Sequence, residues 1–187
     1  METEKNPWTT VNSIVKMDND WIRVSHHNVV DYQGNNGVYG TVHFKNLAIG
    51  VIPVDEDMNT YLVGQYRYPL NKYSWEIPEG GGPLNTPPLD SAERELKEET
   101  GIVANNYKKI TEMHLSNSVS DEHAIIYIAT GLSFYEASPE ECEALSIKKT
   151  PLQEAFRMVD KGEITDSMSV AGLQKIELML IKGELEI

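Results

Sequence analysis

Three glutamates, Glu95, Glu98 and Glu99, stand at i, i+3 and i+4 in the run Ala-Glu-Arg-Glu-Leu-Lys-Glu-Glu-Thr-Gly at residues 92–101. In a helix those positions share one face, an arc of roughly 100° at 3.6 residues per turn. Like charges so spaced cost a helix about 0.2–0.5 kcal/mol per pair. Clustered carboxylates are hard oxygen donors of the kind that Mg2+ or Mn2+ takes. The spacing alone leaves two readings open. One is a divalent-cation site. The other is a solvated acidic face, its repulsion softened by the pairs Arg94–Glu98 and Glu93–Lys97.

The element that must carry these carboxylates is a short helix. Leu89, Ala92 and Leu96 at i, i+3 and i+7 give it an apolar stripe, and Gly101 supplies a left-handed stop. A glycine-rich loop at residues 80–82 leads into it. Taken whole, residues 80–102 resemble the signature of the Nudix hydrolases: Gly, five residues, Glu, seven residues, then Arg-Glu-apolar-x-Glu-Glu-x-Gly-apolar. Gly80, Arg94, Glu95, Leu96, Glu98, Glu99, Gly101 and Ile102 fit at the right intervals. Thr86 departs, standing where the family has its first glutamate. That departure bears on the number of metals bound.

The segments Gln-Tyr-Arg-Tyr-Pro at 65–69 and Trp-Glu-Ile-Pro-Glu-Gly at 75–80 resemble those that precede the box in the branch acting on ADP-ribose and nucleotide sugars. This resemblance implies an α/β fold, an α/β/α sandwich with a mixed sheet; the strand and turn pattern before it reads as an N-terminal antiparallel β subdomain. The resemblance also implies hydrolysis of the pyrophosphate bond of a nucleoside diphosphate sugar, with Mg2+ or Mn2+ as cofactor and a homodimer as the assembly. Residue by residue, Glu95 and Glu99 match the usual metal ligands. Glu98 matches a further ligand or a group that orients water, and backbone carbonyls around Glu79 and Gly80 another ligand. Arg94 steers a glutamate of the cluster. Arg67 and Glu76 match residues near the substrate. Glu122, with Asp121 second, matches the loop acid that serves as base. Two alternatives remain: a non-catalytic module that binds the same ligands, and a nucleoside-triphosphate pyrophosphohydrolase.

Composition sets the outer bounds. A chain of 187 residues with 40% hydrophobic content suits one domain with a small appended β region. The organisation expected is a β subdomain over residues 1–45 and the hydrolase domain over 46–187. A net charge of −13 argues against nucleic-acid or anionic-membrane partners. The single cysteine, Cys142, excludes an intrachain disulfide framework and fits a reducing, cytoplasmic setting. No apolar run is long enough for a signal or a membrane span.

Along the chain, residues 8–17 and 21–30 read as strands, and the turn cluster at 31–37 predicts a hairpin to a strand at 38–44. Residues 47–54 and 60–65 read as a strand–turn–strand pair. Strands follow at 107–113, 123–130 and 145–149, with a polar loop at 115–122 and an acidic surface loop at 133–144. Thr150 as N-cap and Pro151 at N1 open a helix ended by Gly162. Asp166 or Ser167 caps the last helix, whose stripe includes Val170, Leu173, Ile176, Leu180 and Ile181.

Overall fold

The computed structural model describes residues 5–138 and 145–185; Cys142 and the acidic run at 139–144 lie outside them. The chain divides into two units. One comprises Met1–Asn46 together with His114–Glu122, the other Leu47–Met113 and His123–Ile187.

The first unit holds an antiparallel sheet of β1 (Thr9–Asp18), β2 (Ile22–Val30) and β3 (Asn36–Phe44), in that order. Each turn is built by a polar side chain. Asn19 Oδ1 accepts the backbone N–H groups of Trp21 and Ile22. Asp31 Oδ1 accepts those of Gln33 and Asn35, and Gly34 between them takes φ +87°. Two register shifts bend β1, which is exposed along its whole length.

In the second unit, β4 (Asn46–Pro53) lies beside β9 (His123–Phe134) in parallel, in a sheet ordered β7-β4-β9-β8. Here β7 spans Glu79–Pro83 and β8 spans Ile102–His114. A second sheet, antiparallel throughout, is ordered β10-β5-β6, with β5 at Asn59–Arg67, β6 at Lys72–Glu76 and β10 at Ser146–Pro151. Three helices complete the unit: α1 (Pro88–Thr100), α2 (Leu152–Asp160) and α3 (Ser167–Ile181).

Side-chain alternation along β4 and β9 makes the central sheet two-faced. Ile49, Val51, Ile125, Tyr127 and Ala129 pack with Ala92 and Leu96 of α1. The alternate positions meet α3: a Cβ on Gly50 would lie 2.9 Å from Met168 Cε, and one on Gly172 2.8 Å from Ile52 Cδ1. The sheet is therefore covered by α1 on one face and α3 on the other, the α/β/α arrangement expected. No helix among the described residues is long and apolar enough to cross a membrane.

Several local expectations are corrected. β4 and β5 do not form a hairpin ladder; they belong to different sheets and share an isolated bridge, Val54↔Thr60. Both edges of β4 are already taken by β7 and β9, as suits a strand apolar on both faces. The glycine-rich stretch is the strand β7 rather than a loop. Leu89 lies in the first turn of α1 and is exposed, while Ser91, Ala92, Glu95, Leu96, Glu99 and Thr100 form the buried face. Thr150 and Pro151 stay in β10, where Thr150 Oγ1 donates to the Lys148 carbonyl, and α2 begins one residue later. In α3 the close approach allowed by Gly172 turns Met168, Leu173, Ile176 and Met179 inward and leaves Ile181 77% exposed.

Candidate active site

α1 starts with Pro88 in its first turn, where a missing N–H costs nothing, and ends where Gly101 takes φ +70° and donates to Lys97 O. Between these ends the helix lies against β7, and two of the predicted carboxylates are buried. Glu95 is 9% exposed and Glu99 3%, while Glu98 is half-buried. The Glu95 carboxylate sits over Gly80: a Cβ there would fall 2.2 Å from Glu95 Cδ. Glu99 Oε2 accepts the Glu79 backbone N–H at 2.9 Å.

Arg94 binds this arrangement from the rim. Its Nη1 donates to Glu98 Oε2 at 2.7 Å, and its Nη2 to Glu95 Oε1 at 2.6 Å and to the Gly81 carbonyl at 2.8 Å. One guanidinium thus offsets two of the clustered charges and ties helix to strand. Partial burial works against its charged form, but Glu95 and Glu98 outweigh that and raise its pKa.

Arg67 and Glu76 are brought to each other. Arg67 Nε lies 3.0 Å from both Glu76 oxygens, and Nη2 donates to Glu76 and, at 2.9 Å, to Glu79 Oε1. Glu76 is buried. An incoming phosphate would therefore compete with two carboxylates for this guanidinium. Asp121, the second loop acid, pairs with His43, and Glu122 closes the same loop by accepting the Leu115 N–H through its carbonyl. Both belong to the unit of β1–β3. Thr86 lies in the turn between β7 and α1, its N–H on the Pro83 carbonyl.

The sequence pointed to the backbone at Glu79 but not to its side chain. Its Oε2 is buried and has no hydrogen-bond partner among the described residues. Burial, then the charges of Asp166 and Glu76, push its carboxyl well above the usual range, against the pull of Arg67. No local signal marks it, because Asp166 joins it from the far end of the chain.

The donors fit a hard divalent cation in type. The Glu95 carboxylate lies over Gly80, Glu99 reaches the neighbouring Glu79 N–H, and Glu98 stands on the same helix face. No three acidic, histidine or cysteine groups among the described residues already converge as a cage. Arg94 supplies the counter-charge in the arrangement observed.

Comparisons with known proteins bear on the same region. Residues 44–168 match the family model described as NUDIX domain. The chain is 34% identical over 130 residues to an ADP-ribose pyrophosphatase of Mycobacterium tuberculosis, covering 67% of this chain and 62% of that one. It is 32% identical over 133 residues to an ADP-ribose pyrophosphatase of Bacillus subtilis, covering 70% and 72%. It is 33% identical over 133 residues to a methanol dehydrogenase activator of Bacillus methanolicus, with the same coverage. A solved structure of an ADP compounds hydrolase superposes with a TM-score of 0.85 over 98% of this chain and 100% of that one, at 19% identity, which is a likeness of fold.

Proposed function

The chain belongs to the NUDIX domain family, and from that premise we propose that it hydrolyses the pyrophosphate bond of a nucleoside diphosphate sugar. ADP-ribose or a related nucleotide sugar is the substrate, and a nucleoside monophosphate and a sugar phosphate are the products. One observation carries the reading: Glu95 and Glu99 are buried where α1 meets β7, with Glu98 on the same helix face, at an energetic cost that a structural acidic face does not need. The two relatives named ADP-ribose pyrophosphatase support the choice of substrate.

Glu95 and Glu99, with Glu98 and the backbone at Gly80, would hold Mg2+ or Mn2+. When bound, such an ion neutralises phosphate oxygens and lowers the pKa of water. Arg94 keeps Glu95 and Glu98 oriented by its fork of hydrogen bonds. Glu122 takes the proton of the attacking water as its oxygen bonds to phosphorus and the bridging P–O bond breaks. Arg67 exchanges a carboxylate for a substrate oxygen, and Glu76 holds its guanidinium in register. Residues 1–45 serve as a dimerisation and substrate-side subdomain. The exposed edge strand β1, with Val11, Ile14, Val15 and Met17 outward, supports a homodimer that covers it. The charge of −13 supports the absence of nucleic-acid and membrane partners, and the lone cysteine a cytoplasmic setting.

The test is a panel of ADP-ribose, GDP-mannose, UDP-glucose and ATP with millimolar-range Mg2+, products resolved by chromatography, and Glu99→Gln as control. Monophosphate plus sugar phosphate, lost in the control, is the expected result. Saturable binding without turnover would favour the ligand-binding alternative, with Thr86 the first residue to restore to glutamate. Turnover confined to ATP would favour the triphosphate alternative.

A further inference from the structure

The loop at residues 115–122 contains no buried residue. Apolar packing therefore does not set its position, and polar contacts must. Leu115 N–H donates to the Glu122 carbonyl and closes the base of the loop. Ser116 O accepts from the N–H groups of Val119 and Ser120 and makes its tight turn. The tip is then fastened along β3 as a short parallel addition. Val42 N–H donates to Val119 O at 2.8 Å, Asp121 N–H to Val42 O at 3.3 Å, and Val42 and Ser120 form a β-bridge. Tyr39 Oη donates to Ser118 O at 3.1 Å.

Side chains complete the attachment at one residue. Asp121 Oδ1 accepts the Phe44 N–H at 2.9 Å, and Oδ2 lies 2.5 Å from His43 Nδ1. An ionised carboxylate only accepts, so His43 Nδ1 carries the proton. Next to this pair is a cavity of about 340 Å³, lined by Tyr39, Thr41 and His43 on the β3 side and by residues 117–121 on the other. The loop forms one wall of that cavity, so its position there is set by the polar contacts on β3.

We propose that His43 is a positioning residue for the hydrolytic reaction: by gripping Asp121 it fixes the loop that carries Glu122. The proposal rests on the reading of Glu122 as the base. A base held on a loop needs supporting contacts to stay in productive geometry, and misplacement by about 1 Å costs on the order of a hundredfold in rate. His43 supplies that support through Asp121, which is consequently engaged in holding the loop and not itself the base.

The experiment measures ADP-ribose hydrolysis in Mg2+ by His43→Ala, His43→Asn, Glu122→Gln and the double variant His43→Ala/Glu122→Gln. Amide hydrogen exchange of Val42, Val119 and Asp121 is read alongside. Asparagine places an N–H donor close to where His43 Nδ1 stood. Expected are a fall in kcat of about tenfold to a hundredfold for His43→Ala with KM within about twofold, faster exchange at the three amides, and substantial recovery in His43→Asn. In the Glu122→Gln background the His43→Ala change adds no further loss, because both act through one group. Wild-type kcat in His43→Ala, or a loss that multiplies fully with Glu122→Gln, overturns the proposal while leaving the base in place. Wild-type turnover in Glu122→Gln alone overturns the assignment of the base, and the proposal with it. Should His43→Ala unfold, the comparison of His43→Asn with wild type in kcat and exchange decides: near-wild-type values support a donor role, and a loss equal to that of Glu122→Gln overturns it.

Discussion

Glu99 and Gly80 separate two ways in which a single residue serves the box. Glu99 is buried, and its Oε2 accepts the Glu79 N–H. Glutamine retains that acceptor and removes the charge. Glu99→Gln is therefore expected to lower turnover by orders of magnitude while shifting the thermal midpoint by only a few degrees; near-normal turnover would remove Glu99 from the cation site. Gly80 acts by leaving space. The three atoms nearest to a methyl group there all belong to the far end of Glu95, a movable carboxylate. The strain is relieved by expelling that carboxylate from its hydrogen bond with Arg94. Gly80→Ala should thus cost about 1 kcal/mol of stability, the low end for overpacking, yet reduce turnover at least about tenfold. Denaturant melts and kcat on one preparation compare the two effects. A large loss of stability with unchanged kcat would mean that the glycine serves β7 and not Glu95.

At the scale of elements, the turn from β4 to β5 gives a test by pH. Asp55 accepts from the Asn59 backbone and side chain, from Tyr61 Oη, and from Lys149 at 2.8 Å, so one carboxylate joins β5 to β10. Burial acts to raise its pKa, but the hydrogen bonds from Lys149, Asn59 and Tyr61 prevail and lower it from 3.8 to about 2. The folded state then binds fewer protons than the unfolded chain between those values. The stabilisation is complete above about pH 4 and lost as pH falls through about 2, on the order of 1–2 kcal/mol after allowance for solvent screening. Asp55→Ala should differ from wild type in urea at pH 7, with the difference shrinking steadily at acid pH; a constant gap would assign the role to shape alone. Much of such local structure was legible in the sequence. The box helix, the left-handed stop at Gly101 and the Asp166 cap, which accepts from Ser169 N, depend on residue types a few positions apart. What escaped was non-local. The parallel pairing of β4 with β9, the glycine run drawn into the sheet as β7, the buried carboxyl of Glu79 and the hold of His43 on Asp121 all join residues far apart in the chain. Spacing encodes a face, but the partner of that face is chosen by packing across the fold.

For the whole molecule the decisive quantity is a net charge of −13 set against an anionic substrate. The two arginines closest to the proposed chemistry do not reverse that field freely. Arg94 is divided between Glu95 and Glu98, and Arg67 between Glu76 and Glu79. Substrate must therefore approach against long-range repulsion and gain attraction only at contact. Salt screens the first far more than the second. The Debye length falls from about 30 Å at 0.01 M to about 8 Å at 0.15 M, which hides distant carboxylates while leaving short, partly desolvated contacts almost intact. kcat/KM for ADP-ribose should accordingly rise severalfold as KCl is added over that range at fixed free Mg2+, with the gain in KM and not in kcat. The opposite slope is usual where a cationic surface steers an anion. A kcat/KM that falls with salt would place a net positive field over the site, and the divalent ions would then have to dominate the approach as well as the chemistry.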